Sequence, residues 1–316
     1  MTMNEKGEDQ PSLVIIVGPT GVGKTGLALK LADVCKGEII SADSMQVYRY
    51  MDIGTAKPTA EERKRIQHHL IDIVDPDEEF NAALFVKRSE RIIETLHHER
   101  KRIFIVGGTG LYVRALVGGL FDGPDADHDL RDFYHDICDR YGKVYLHELL
   151  KTRDSLATER IHVNDTMRII RALEVLESTG KSIITMQGEH AFKDRVYDYK
   201  VVGLKREREN LYERIDRRVD QMMAEGLVDE VEKLIRMGYG ESLKPMQSMC
   251  YRHIVDYIKR RCDKDEAIRL VKRDTRHYAR RQLTWFKKDK DVIWLDPEDS
   301  SAVSIEVENF FEEHAI

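Results

Sequence analysis

One octapeptide limits what this chain can fold into more than any other stretch: Gly18-Pro19-Thr20-Gly21-Val22-Gly23-Lys24-Thr25. It fills G-x-x-x-x-G-K-[ST] at every defined position. It also sits where that pattern must sit, between a short β-branched run (LVIIV, 13–17) and a segment with helical spacing through Leu27, Leu31 and Val34. The glycines let backbone N–H groups turn inward around a phosphate, and the start of the helix adds partial positive charge. Lys24 supplies a point charge, and Thr25 a hydroxyl for a Mg²⁺ ion carried with the phosphates. All eight residues are therefore expected to cradle a diphosphate or a longer phosphate chain.

The rest of the pattern extends that unit. Apolar runs at 38–40, 70–74, 103–106, 196–204 and 292–295 read as further strands, and 85–96 as an amphipathic helix. Strands alternating with helices predict an α/β fold, a P-loop NTPase-like core on a parallel sheet. From 123 to about 188 the periodicity is helical, with Asn164-Asp165 as an N-cap and Ile169, Leu173 and Leu176 on one face. The predicted division is a core from 1–120 and 191–316, interrupted by a helical insertion domain at 121–190. Within 191–316, one long helix carries Leu211, Ile215, Val219 and Met222 and closes near Gly238, and a second runs from about 265 to 286.

Composition narrows the setting. Apolar residues are 41% and charged residues 34% of the 316, enough for a proper core under a solvated surface. No apolar run approaches the roughly 20 residues of a membrane span. The polar, acidic start (MTMNEKGEDQP) reads as neither a secretory signal nor a basic transit peptide. Cys35, Cys138, Cys250 and Cys262 form no CxxC pair and read as reduced thiols, so a cytoplasmic protein is expected. No exposed apolar stripe is evident, so a monomer with no membrane partner is expected. The net charge of −6 hides a polarity: residues 251–290 carry +8, and residues 296–316 carry −7. A locally basic segment on an acidic protein suits docking of a specific polyanion.

The acids and arginines leave several readings open. Asp43 follows a predicted central strand and should emerge beside the phosphate loop, where it could serve as general base, metal ligand or cap. The strand at 103–106 ends in Gly-Gly-Thr-Gly without the acid that a P-loop ATPase places there; Asp72 and Asp75 are possible substitutes or plain solvated acids. Arg214 and Arg218 share one side of their helix, as do Arg168 and Arg171 in the insertion. Arg269, Arg273, Arg276 and Arg280 form a stripe next to Tyr278, Trp285 and Phe286, which suits either a sugar-phosphate backbone or an ordinary charged face.

Six segments in order then resemble one family, the tRNA dimethylallyltransferases or tRNA isopentenyltransferases. They are GPTGVGKT, SADSMQVYRYMDIGTAKP (41–58), VGGTGLYVRAL (106–116), RIHVNDTMRIIRALEV (160–175), LYERIDRRVDQM (211–222) and TRHYARRQLTWF (275–286). Two positions depart from the family pattern: Val163 stands in place of proline, and Cys250 in place of the glycine that the resemblance puts in a loop beside Tyr251 and Arg252. The resemblance implies transfer of a dimethylallyl group from dimethylallyl diphosphate to the exocyclic amine of an adenosine beside the tRNA anticodon. It implies that the loop holds the diphosphate leaving group, that Asp43 takes the amine proton, and that Thr25 contributes to a Mg²⁺–diphosphate site. It implies that Arg218 grips the diphosphate and that Thr109 lies near the reacting carbon. It also implies tRNA contacts from Asp43, Ser44, Met45 and Gln46; from Arg131, Met167, Arg168, Ile169, Ile170 and Arg171; and from Gln247, Ser248, Met249, Cys250, Tyr251 and Arg252. Arg276 and Arg280 join that surface through the basic stripe.

The chemistry of the residues agrees with that implication. An exocyclic adenine amine is a poor nucleophile and needs its proton removed as the bond forms. An allylic diphosphate ionises readily once its departing charge is stabilised. The rival readings are a small-molecule or nucleotide kinase and a nucleotide-regulated binding module. The basic stripe counts against the first, since a small acceptor needs no such surface, and Asp43 counts against the second. ATP is expected to bind the loop weakly and not be turned over.

Overall fold

The computed structural model describes residues 10–119, 123–190 and 197–314. The polar start at 1–9 and the residues beside both expected domain boundaries, 120–122 and 191–196, lie outside the described residues. The chain divides into two compact units, Met1–Val117 with Val196–Ile316, and Gly118–Arg195.

In the first unit the chain runs β1 (Ser12–Val17), α1 (Lys24–Cys35), β2 (Gly37–Ser41), α2 (Ala60–Arg65), β3 (His68–His69), α3 (Ala82–His98), β4 (Arg102–Gly107) and α4 (Gly110–Gly118). The second unit carries α5 (His128–Arg153), α6 (Ser155–Thr158), α7 (Thr166–Thr179) and α8 (Ile183–His190). The chain returns with β5 (Asp198–Leu204), α9 (Arg208–Ala224), α10 (Leu227–Arg236), a 3-10 turn (Lys244–Gln247), α11 (Met249–Ile258), α12 (Lys264–Phe286), β6 (Val292–Leu295) and α13 (Ser300–Glu313). The six strands form one parallel sheet in the order β3-β2-β4-β1-β5-β6.

β1 is central, and its alternation shows why it reads as continuously apolar. Leu13, Ile15 and Val17 join the core on one face, with Phe85 of α3 and Tyr251 of α11. Val14 and Ile16 join the core on the other, with Leu27 of α1, Leu211 of α9 and Phe310 of α13. A strand covered on both faces has no polar side to show.

Three expectations change in the structure, and one stretch gains a structure. The run at 70–74 is not a strand: Leu70 and Asp72 take positive φ (60° and 56°), which no ladder tolerates, and Val74 makes a lone bridge to Tyr48. The helix expected to reach Gly238 is two helices, because Gly226 turns left-handed (φ 100°) between α9 and α10. Tyr251 and Arg252 lie in the first turn of α11 rather than in a loop. The acidic stretch after 296 folds as α13, capped by the Asp299 side chain and burying Val303, Val307, Phe310 and Phe311. Each such side chain contributes roughly 1.5–3 kcal/mol when fully buried, which outweighs the repulsion of exposed acids.

The described residues of the second unit hold four helices and no strand. α5 breaks at Gly142 (φ 85°, ψ 166°), and Asp165 caps α7 through the Arg168 N–H. Its core gathers Tyr134, Leu146, Leu150, Ile169, Ile170 and Leu173. All four cysteines are free, Cys138 and Cys250 buried and the other two half-buried. Among the described residues, no helix is long and apolar enough to cross a membrane.

Candidate active site

The phosphate loop leaves β1 and enters α1 with Gly18, Gly21 and Gly23 all at positive φ (145°, 80° and 112°). A side chain at those positions would strain the backbone, so the amides are free to face inward. Lys24 folds back over the loop, its Nζ donating to the carbonyls of Gly18 and Pro19 at 2.9 Å each. Burial of the ammonium pushes its pKa down to about 8, opposed by the charge of Asp43 and aided by that of Arg218.

Asp43 stands two residues beyond β2, at the carboxyl edge of the sheet. Its Oδ1 accepts from the N–H groups of Met45 (2.9 Å) and Gln46 (3.4 Å). The acid thus holds a turn and lines the cleft. Thr109, just past β4, ties the same segment down: its N–H donates to the Ala42 carbonyl at 3.2 Å, and its Oγ1 accepts from the Ser44 N–H at 3.1 Å. Gln46 spans Ser41, Thr55 and Ala56 at 3.0–3.4 Å.

α9 brings two arginines to the loop. Arg214 donates from Nε to the Gly21 carbonyl at 2.9 Å, and Arg218 reaches the Thr20 hydroxyl and the Ala56 carbonyl at 3.5 Å. Burial lowers the pKa of both guanidinium groups. These residues enclose a cleft of about 520 Å³ that also takes in Thr25, Gln221, Tyr278 and Gln282. Among the residues lining it, Asp43 is the one acid, against Lys24, Arg214, Arg217 and Arg218. The cleft is therefore built to receive negative charge beside a single carboxylate. Burial, with the charge of Asp43, pushes the Tyr278 phenol up to about 12, so it stays a neutral donor.

Other expected site residues are placed elsewhere or differently. Ile169 and Ile170 are core, 0% and 2% exposed, and cannot present side chains to a polyanion. Cys250 and Tyr251 are also buried, Tyr251 donating its hydroxyl to Glu230 at 2.6 Å. Arg131 and Arg171 both grip the buried Glu174, whereas Met167 and Arg168 are exposed. Gln247 and Arg252 are exposed, and Ser248 and Met249 are half-buried. On α12, Arg269, Arg273 and Arg276 pair with Glu266, Asp274 and Asp216, while Arg280 is exposed and pairs with no carboxylate among the described residues. Asp72 is held by Lys57 and Arg63, and Asp75 by Arg49, so neither serves the loop. Sequence reasoning missed Gln282, Gln221 and the role of Tyr278. The available signal was that Tyr278 and Gln282 are one turn apart on the helix that carries the basic stripe.

The residues fit a Mg²⁺ ion that arrives with its ligand rather than one held in a protein cage. No group of three or more His, Cys, Asp or Glu could hold a metal among the described residues. Thr25 nevertheless lines the cleft at the end of the loop, and Mg²⁺ takes few protein ligands when phosphates and water supply the rest.

Comparison with known proteins is consistent with this geometry. The profile of the family described as IPP transferase matches residues 46–289. A tRNA dimethylallyltransferase 2 of Syntrophus aciditrophicus is 54% identical over 92% of this chain and 93% of its own length. The crystal structure of the full-length tRNA isopentenylpyrophosphate transferase of Bacillus halodurans superposes with a TM-score of 0.72 at 41% identity, covering 97% of this chain and 98% of that one. A eukaryotic dimethylallyltransferase, crystallised in snapshots of its action on tRNA, gives a TM-score of 0.79 at 27% identity, over 96% of this chain and 79% of that one.

Proposed function

The chain belongs to the IPP transferase family and is an enzyme of tRNA prenyl modification; we propose that it takes the dimethylallyl group from dimethylallyl diphosphate and attaches it to the N6 amine of an adenosine beside the anticodon. The observation that carries this reading is the cleft itself: a phosphate loop with its cations faces one carboxylate, and β4 runs into Gly107-Gly108-Thr109 without an acid. Such a cleft is suited to a diphosphate that departs and a proton that is removed. It lacks the acid that would organise water against a γ-phosphate. Family membership also leaves the kinase reading without support.

In this reading the loop amides, Lys24 and Arg218 hold the diphosphate and stabilise the charge that develops as the C–O bond breaks. Thr25 would hold Mg²⁺ together with diphosphate oxygens and water, and the ion would supply further positive charge there. Asp43, fixed through Oδ1, uses Oδ2 to accept the amine proton as the C–N bond forms. The adenine must leave its stack to enter; the neutral Tyr278 phenol lines the cleft to meet it, and Thr109 holds the segment that carries Asp43. The exposed residues Met167, Arg168, Gln247, Arg252 and Arg280, with Ser44, Met45 and Gln46 near Asp43, are the proposed contacts to the anticodon stem-loop. A cytoplasmic location, supported by a tRNA substrate, and a monomeric state belong to the same proposal.

The test is direct. The protein is incubated with dimethylallyl diphosphate and unmodified tRNA, and digested nucleosides are weighed by mass spectrometry. One dimethylallyl group on adenosine supports the reading. ATP should act as a weak competitor of the donor. Steady, tRNA-stimulated phosphate release from ATP, abolished by Lys24→Ala, would overturn it.

A further inference from the structure

The phosphate loop follows β1, and Thr109 follows β4. These strands are neighbours whose parallel pairing runs from Leu13 with Ile103 to Val17 with Gly107. Past that point no ladder bond joins the two loops. A single side chain from α12 takes over. Gln282, 6% exposed, accepts from the Thr20 N–H through Oε1 at 2.8 Å and donates from Nε2 to the Gly108 carbonyl at 2.9 Å. A primary amide offers a donor and an acceptor on one rigid plane, as a peptide unit does. Gln282 thus extends the strand pairing one step beyond the sheet.

We propose that Gln282 is a positioning residue that sets the distance between the leaving-group loop and the segment carrying the base. The connection is continuous. Gln282 holds Thr20 on one side and Gly108 on the other; Thr109, next in the chain, binds Ala42 and Ser44, which flank Asp43. Prenyl transfer needs the allylic carbon in line between the departing oxygen and the incoming amine. Diphosphate position is set by one loop and amine position by the other. A misplacement of about 1 Å between such partners costs on the order of 10²-fold in rate. The residue touches neither reactant in this scheme, so its effect falls on turnover.

The chemistry demands glutamine. Glutamate at 282 has no donor for the Gly108 carbonyl and sets a negative charge beside the diphosphate. Methionine keeps the length and loses both bonds. A second perturbation reaches the same amide without changing it: a Cβ on Gly108 would meet Gln282 Nε2 at 2.1 Å and Cδ at 3.2 Å, displacing a side-chain end rather than backbone.

The inference rests on the prenyl-transfer reading, and the wild-type protein separates the two. No modified adenosine from wild type defeats that reading; product from wild type with an unimpaired Gln282→Met defeats the inference alone. Gln282→Met and Gly108→Ala are each expected to lower kcat roughly 10²-fold, with KM for both substrates and tRNA Kd within about threefold of wild type. The double variant should be no worse than either single, because both act through one amide. Gln282→Glu should additionally raise KM for the donor. Normal kcat in either single variant, multiplicative losses in the double, or a loss of turnover matched by weaker tRNA binding would overturn the proposal. So would melting temperatures lowered far enough in both variants to empty the folded state, since the amide would then be an element of the fold.

Discussion

The cleft and the helical insertion use arginine in opposite ways. In the insertion, Arg131 and Arg171 converge on Glu174, whose side chain is fully buried, at 3.0 and 2.6 Å. In the cleft, Lys24, Arg214 and Arg218 donate instead to carbonyls and a hydroxyl, at 2.9–3.5 Å. A carboxylate partner cancels a cation's charge, whereas a carbonyl partner only orients it. The first arrangement stabilises a fold, and the second keeps positive charge available for a ligand. The difference lies in the partner and not in the residue type, which is why arginine spacing alone marked both regions as candidate sites.

The contrast breaks first at Asp43, the one carboxylate facing the cleft cations. Asp43→Asn keeps the shape and the turn but cannot take a proton. Turnover should fall about 10²–10⁴-fold, with tRNA Kd little changed. Near-normal turnover would reduce Asp43 to a turn residue.

Arg218→Ala comes next. It removes cleft charge without unpairing a carboxylate, so kcat/KM for the donor should fall roughly 10²–10³-fold while the melting temperature holds. The loss should be the same with a short stem-loop or a full-length tRNA. Lys24 adds a pH signature with a definite sign. Its pKa is lowered to about 8, so the free enzyme loses that charge as pH rises through 8. Donor kcat/KM should therefore decline above pH 8 and flatten below it. A profile flat through pH 9 would show that the ammonium is not used on the diphosphate.

What the sequence made legible follows physical locality. The loop, its flanking strand and helix, and Asp43 are set by contiguous residues, and they stand where spacing placed them. The sheet is legible because strands covered on both faces are apolar without interruption. What escaped depends on contacts far apart in the chain. Gln282 meets Thr20 across 262 positions, and nothing local distinguishes it from any other polar helix residue. Residues 70–74 read as a strand because apolar content is local, while the positive φ at Leu70 and Asp72 is imposed by the surroundings. Lys57, its ammonium 2.5 Å from the Asp72 carboxylate and hidden from solvent, belongs to those surroundings. Ile169 and Ile170 came in through a motif that mixes core and surface positions of one helix.

Glu174→Ala probes the other side of the contrast. It leaves the Asp127 N–H and two half-buried guanidinium groups without their acceptor. The cost should be about 1–3 kcal/mol, at the low end because the arginines can reach water. It should appear as a lower melting temperature in the insertion, with phosphate-loop binding of inorganic diphosphate intact. Burial raises the pKa of the Glu174 carboxyl, but the hydrogen bonds from Arg171 and Arg131 outweigh it and hold it below the ordinary range. A folded-state pKa below the unfolded one stabilises above the unfolded value, about 4.3, and that stability is lost as pH falls through the folded value. Wild type should therefore weaken below about pH 4.3 by more than Glu174→Ala does. Equal acid sensitivity in both would remove Glu174 from the account.

The smallest effect is expected on α12, where both uses of arginine meet on one helix. Arg276 is countered by Asp216 at 2.9 Å and lies over the Tyr212 ring, whereas the exposed Arg280 has no such partner among the described residues. Each phosphate contact by a cation releases counterions and steepens the salt dependence of binding. Arg280→Ala should therefore lower the slope of log K against log salt by about one, and weaken tRNA binding a fewfold. Arg276→Ala should do less, because its charge is already balanced. Asp216→Asn should do the reverse, freeing Arg276 and steepening the slope. The three slopes, measured by tRNA binding between low and physiological salt, rank the partner rule against simple charge counting: equal effects from Arg276→Ala and Arg280→Ala would favour counting. No change in the double variant Arg276→Ala/Arg280→Ala would take α12 out of the docking surface altogether.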